Sequence, residues 1–380
     1  MNKKKLRSAL VCLIIVTVLF CCIGAKMGAA NMLNTIMHTA HDLLLNTVFY
    51  LMGICVITGA LGQLFVEYHV VDLLEALLRP LMRPLFNLPG MAALGAVLTF
   101  LSDNPAIITL SKDKRFASHF KKFQFISLTN FGTAFGMGLI VIIFMISQGY
   151  LAEPLIGFVG AFIGCIISTR LMQHFVVKKY PEYATQNAVD ITPEQAEAQA
   201  DDCKHSEEKS TFLRTLNALL DGGRMGVEVG ISIIPGVLII STLVMILTFG
   251  PSASGAYTGA AYEGTELLPN LANLASGFFD AVFGFSDPHQ IAFPITALGA
   301  VGAALGLVPG FAQQGWIDGN AVAVFTAIGM CWSGFLSTHT AMLDSLGYRQ
   351  LTSKAIISHT IGGLGAALAA HWFYLLWCLI

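Results

Sequence analysis

The stretch from Gly90 to Leu110 reads GMAALGAVLTFLSDNPAIITL. It is apolar up to Leu101, breaks at Ser102-Asp103-Asn104-Pro105, and is then apolar again. Arg79 and Arg83 precede it; Lys112, Lys114, Arg115, Lys121 and Lys122 follow. Basic residues mark cytoplasmic loops. Both flanks then lie on one side, so the segment enters and leaves by one face as a re-entrant hairpin. Arms of about ten residues reach roughly 15 Å, half of a hydrocarbon core about 30 Å thick. The bend falls near the midplane.

The rest of the chain supports a membrane setting. Of 380 residues, 55% are hydrophobic and 12% charged, and the mean hydropathy is +0.69. Soluble domains carry about 25% charged residues. The composition excludes an ordinary soluble domain and a disordered chain. A net charge of −2 gives no reason to expect nucleic acid. Long apolar runs without alternation point to helices. The eight cysteines show no zinc or disulfide spacing and read as packing residues.

The expected class is an all-α polytopic membrane protein with about seven full crossings. These are Ser8–Ile23, Leu43–Val66, Phe123–Ile146, Pro154–Met172, Gly226–Thr248, Asn320–Leu343 and Ala355–Leu379. The first could instead be a cleaved signal behind Lys3, Lys4, Lys5 and Arg7. Val70–Phe86 is amphipathic and suits the interface plane. Fifteen charged residues fall between Gln173 and Arg224, where TPEQAEAQADD suggests a solvated helix in a linker. The organisation expected is 1–42, an N-terminal helix or signal anchor; 43–172, a first repeat; 173–225, a cytoplasmic linker; and 226–380, a second repeat.

No Lys or Arg occurs between Arg224 and Arg349. Read by charge, the second half is the first turned upside down: span, hairpin, span, span. Its hairpin is expected at Gly277–Val308, bending at Ser286-Asp287-Pro288-His289. The two bends, FLSDNPAI and FGFSDPHQI, share Ser-Asp, a nearby Pro and flanking Phe. Ile291–Val308 is also long enough to span alone, which would put Arg349 and Lys354 outside. On the hairpin topology the N-terminus is cytoplasmic, unless removed, and the C-terminus lies outside an inner membrane. Inverted repeats with broken helices meeting at the midplane are the architecture of secondary transporters.

An Asp at the centre of a membrane helix costs about 2.5–3.5 kcal/mol on insertion scales. Asp103 and Asp287 could simply cap half-helices, since Asp or Asn before Pro is a helix-start signature. Their recurrence suggests a substrate or ion site as well. Carboxylates at helix starts repel anions, so a neutral donor-rich solute or a cation fits better. The site expected comprises Ser102, Asp103, Asn104, Ser286, Asp287 and His289, with Thr129 and Asn130 on the following helix. Glu228 could line a pathway or snorkel. His339 reads as interfacial, and His359 as a relay or a packing group. Neither a P-loop nor HExxH or GxSxG is present, so no enzyme is expected. Ser286 with His289 would be the pair to check.

The stretch Leu77–Lys112, LLRPLMRPLFNLPGMAALGAVLTFLSDNPAIITLSK, resembles the nucleoside-recognition or Gate domain. That domain occurs in concentrative nucleoside transporters, ferrous-iron transporter B proteins and spore maturation proteins. Val227–Asp344, with LGAVGAALGLVPG, resembles it again. The resemblance implies paired hairpins and permeation of a solute or ion. The G-protein domain of the iron transporters is absent, and no nucleoside-binding residues carry over.

The function expected is secondary transport of a small polar solute, a nucleoside or base among the candidates, coupled to H⁺ or Na⁺. No other cofactor and no metal is expected. The alternative is a non-transporting Gate-domain module that scaffolds or regulates a partner complex. The partners expected are the solute and the lipid bilayer, and the glycine-rich faces would permit a homo-oligomer.

Overall fold

The computed structural model describes residues 3–189 and 210–380. The expected helix TPEQAEAQADD lies outside them. The described residues are helical throughout, apart from loops and one isolated β-bridge, Lys121 with Asn187.

In chain order the helices are α1 (Lys3–Met27), α2 (Ala29–Asp42), α3 (Phe49–Glu67), α4 (Val70–Leu81), α5 (Ala92–Leu101), α6 (Pro105–Lys112) and α7 (Lys114–Ser118). Then come α8 (Lys122–Thr133), α9 (Gly138–Ser147), α10 (Glu153–Lys179), α11 (Thr211–Pro235), α12 (Thr242–Thr248), α13 (Leu267–Asn273) and α14 (Ser276–Phe283). The last are α15 (Ala292–Ala297), α16 (Val301–Gln314), α17 (Gly319–Cys331), α18 (Phe335–Ser345) and α19 (Thr352–Trp377). Wide π-turns bridge α2 to α3 and α11 to α12.

Among the described residues six helical runs are long and apolar enough to cross a membrane. They correspond, in order, to the first six crossings expected. The seventh, α19, has 26 residues but is less apolar, because His359, Thr360 and His371 interrupt it. α1 turns its apolar side chains outward, with Leu13, Ile14 and Ile15 about 60% exposed, as a lipid-facing helix does.

Two helix pairs frame the molecule. α3 packs on α11 through Gly59, Gly222 and Gly226, and a β-carbon on any of these would strike the facing backbone. α10 packs on α19 through Gly160, Gly164 and Gly362 in the same way. Small residues let backbones approach, which is how helices associate without a hydrophobic drive in lipid.

Hairpin 1 is α5 and α6. Gly95 faces Ile107 and Leu110, so the arms run back on each other about Ser102–Asn104. Its mouth rests on the C-terminal end of α10, where the Gln173 amide donates to Phe86 O at 2.9 Å and Arg170 to Leu85 O at 2.8 Å.

Hairpin 2 differs from the expectation. The helix breaks at Leu298–Ala300, between α15 and α16, and Ser286–His289 lies elsewhere. α16 runs alongside α11 and α12: Gly302 meets Ile233, Ser241 donates to Ala303 O at 2.8 Å, and Gly310 meets Phe249. Its two ends meet where the Gln290 amide donates to Trp316 O at 2.8 Å. Ile291–Val308 therefore does not cross as one helix. The chain turns back as expected, but Ser286-Asp287-Pro288-His289 forms the mouth of the hairpin and not its bend. α17, which leaves that mouth, packs Ala323 and Thr326 against Gly157 near the start of α10. α10 has 27 residues and is roughly 40 Å long. The two hairpins thus enter from opposite ends of one membrane-length helix.

Candidate functional site

Four backbone interruptions meet in the interior. They are bend 1 (Ser102–Asn104), bend 2 (Leu298–Ala300), the break between α8 and α9 at Ala134–Met137, and the break between α17 and α18 at Trp332–Gly334. Met137 and Gly334 are left-handed, with φ of 54° and 59°. Gly334 lies beside bend 2: a β-carbon there would be in ordinary contact, 3.9 Å from the Gly299 carbonyl oxygen.

Bend 1 is tied to the other broken helices by Asn104, which is 3% exposed. Its amide nitrogen donates to the Ser333 carbonyl and lies 3.4 Å from Thr338 Oγ1. Its Oδ1 has no partner and sits where a side chain on Gly136 would be. Asp103 Oδ1 accepts from the Asn104 N–H at 2.7 Å, and Ser102 Oγ donates back to Leu98 O at 2.6 Å. The N-cap of α6 is Asn104, and no side chain makes a capping bond there, so the capping role expected of Asp103 is not what the bend shows. Among the described residues no basic side chain pairs with it.

A cavity of about 670 Å³ lies between hairpin 1 and the α3–α11 pair. Asp103 and Ser102 line it from hairpin 1, Cys55 and Thr58 from α3, and Glu228 and Ser232 from α11, with Asp113 and Val66 also on its wall. Such a volume holds a drug-sized solute. Asp113 caps α7 by accepting from the Arg115 N–H at 2.7 Å and pairing with its guanidinium at 3.2 Å. Partial burial opposes its charge, but those bonds prevail and hold its carboxyl below the ordinary carboxylate range.

Thr129 and Asn130 are buried behind the α8–α9 break, away from the cavity wall. The Asn130 amide reaches Ser168 Oγ at 3.0 Å, Ala355 O at 3.0 Å and Ser358 Oγ at 3.1 Å. His359 Nδ1 lies 2.9 Å from the same Ser168 Oγ. His339, expected at the interface, is instead fully buried with its ring 4.6 Å from that of His359. It follows the broken segment of its helix, which draws it inward.

Ser286, Asp287 and His289 do not join Asp103. Ser286 Oγ donates to Asp318 Oδ2 at 2.9 Å, and Asp287 Oδ1 accepts from the His289 N–H at 2.8 Å. The His289 ring stacks on Trp316 with centroids 3.7 Å apart. The Ser286 hydroxyl thus faces a carboxylate rather than the His289 ring. Sequence reasoning missed Thr58, Gln63, Thr109 and Ser232 on the cavity wall; polar residues recurring in apolar spans were the signal.

Residues 48–149 match the family model described as Gate, nucleoside recognition. The match contains all of hairpin 1 and the α8–α9 break. That segment is similar to the Gate domain. The whole chain has the fold of solved structures of CNTnw, a concentrative nucleoside transporter. CNTnw in an inward-facing substrate-bound state aligns with a TM-score of 0.55 at 12% identity, covering 98% of this chain and 87% of that one. A CNTnw variant in an outward-facing state aligns at 0.53 and 12%, covering 99% and 88%. Another in an intermediate state aligns at 0.53 and 12%, covering 96% and 85%. No curated protein sequence matches the chain. The chain is thus a multi-pass membrane protein of that fold.

Proposed function

We propose that this protein is a secondary transporter of a small polar solute, coupled to H⁺ or Na⁺. The observation that carries the reading is Asp103, a carboxylate without a basic partner, at a helix bend that closes a 670 Å³ cavity inside the membrane. An intramembrane carboxylate that lines a cavity is a functional-site hypothesis by default. Hairpins entering from opposite ends give each face of the membrane its own route to one centre, and so the means for alternating access. The fold is compatible with such motion, since CNTnw has been solved in inward-facing, intermediate and outward-facing states. The Gate match, described as nucleoside recognition, favours a nucleoside or base as the first solute to test.

In this reading Ser102, Asp103 and Asn104 bind the solute or coupling ion. Thr129 and Asn130 hold the broken helix behind them. Ser286, Asp287 and His289 brace the second mouth. Segments 43–172 and 226–380 act as two inverted repeats joined by the 173–225 linker. The mouth of hairpin 1, beside Lys112, Lys114, Arg115, Lys121 and Lys122, is cytoplasmic, which places the C-terminus outside. The test is uptake of labelled nucleosides and bases into proteoliposomes. Concentrative uptake that needs an H⁺ or Na⁺ gradient is expected. Equilibration without either gradient would remove the coupling.

A further inference from the structure

We infer that the cavity at hairpin 1 selects a positively charged solute, a protonated amine on an apolar body. This rests on the transport reading and specifies its substrate class.

The wall is rich in acceptors and poor in donors. Asp103 and Glu228 face the cavity from opposite sides, and neither has a basic partner among the described residues. Among the described residues no Lys, Arg or His lines it. The hydroxyls of Ser102, Thr58 and Ser232 point their protons away. Each donates to a carbonyl of its own helix, at 2.6 Å (Leu98 O), 2.9 Å (Ile54 O) and 2.7 Å (Val229 O). What they offer the cavity is oxygen lone pairs.

An anion would meet the Asp103 and Glu228 carboxylates, with Asp113 held by Arg115 beside them, and only the neutral donors of Gln63 and Thr109. A neutral solute could satisfy some lone pairs but would leave the Asp103 charge uncompensated. A protonated amine brings one positive charge to Asp103 and three donors to the neighbouring lone pairs. The rest of the wall, Leu98, Leu101, Ile140 and Val229 among it, suits an apolar body better than a hydrated metal ion.

The test reads charge selection without knowing the substrate. In a full-length cysteine-free chain, Thr109→Cys places one thiol on the cavity wall. It is reacted with 2-(trimethylammonium)ethyl and with 2-sulfonatoethyl methanethiosulfonate. The rate ratio is divided by that of a small free thiol. We expect the cationic reagent to be favoured by about tenfold or more, as a cleft lined by one sign of charge concentrates counter-ions. Glu228→Gln and Asp103→Asn, singly and together, should bring the ratio down toward one. Phenethylamine should protect the thiol, while phenylacetate and uridine should not. A normalised ratio near one in the parent chain, or protection by uridine and not by the amine, overturns the inference. Absence of gradient-driven uptake for every solute, with the charge ratio intact, would instead remove the carrier reading and leave the cavity's selectivity standing.

Discussion

The two hairpins share a shape and differ in chemistry. The bend of hairpin 1 carries Ser102, Asp103 and Asn104, closes a cavity and opens toward a basic mouth. The bend of hairpin 2 is Leu298-Gly299-Ala300, without a titratable group, and its polar residues are gathered at the mouth around Trp316. In the proposed reading, the half with the polar bend holds the solute. The other is apolar: α15 stacks Phe293 on Phe325 of α17, with centroids 4.2 Å apart, and Ile291, Pro294, Ile295 and Leu298 line an apolar cavity of about 590 Å³. Two hairpins of similar shape thus carry different chemistry.

The largest expected effect comes from removing the charge at the polar bend. Asp103→Asn should abolish uptake while the protein stays folded in the membrane, because the amide still accepts from the Asn104 N–H but bears no charge. Undiminished uptake would exclude Asp103 from the mechanism. Next is Gly136→Ala. The added carbon occupies the place of Asn104 Oδ1, so it should push bend 1 off the broken helix, cost about 1–3 kcal/mol and sharply reduce uptake. Thermal unfolding and uptake measured together check both parts, and a neutral variant would break the claimed contact.

At the apolar hairpin the order should invert, with stability affected more than transport. Gln290→Ala leaves the Trp316 carbonyl without its donor and should cost about 1–3 kcal/mol in a melting assay while uptake by surviving protein persists. Smallest is Asp287→Asn, expected to change stability by about 0.5 kcal/mol or less, since its side chain is 30% exposed and the amide oxygen can still cap His289. Loss of uptake in Asp287→Asn would show that the mouth of hairpin 2 takes part in transport and would erase the contrast.

Much of this was legible in the residues. Composition and run length set the class, and the basic flanks of Gly90–Leu110 revealed the first hairpin, its face and its bend. The six apolar runs fell where expected. The second bend was hidden because Asp-Pro marks a helix start wherever one occurs, at a mouth as readily as at a bend. Ser286–Pro288 was therefore matched to Ser102–Pro105, although it corresponds in place to the turn Asn87–Gly90. The actual bend carries no polar mark, and nothing in a glycine-rich apolar run distinguishes a turn from a packing face. His339 was misplaced for a related reason: depth along a helix is readable from sequence, but the face it presents depends on the break at Trp332–Gly334. The cavity was invisible because its walls come from segments as far apart as Thr58, Asp103 and Glu228.

The account rests on hairpins that open to opposite faces of the membrane. Impermeant thiol labelling of two single-cysteine variants, Lys114→Cys at the first mouth and Gln313→Cys at the second, tests it most directly. The expected result is labelling of Lys114→Cys only from the cytoplasmic side and of Gln313→Cys only from outside. Labelling of both from the same side would contradict it.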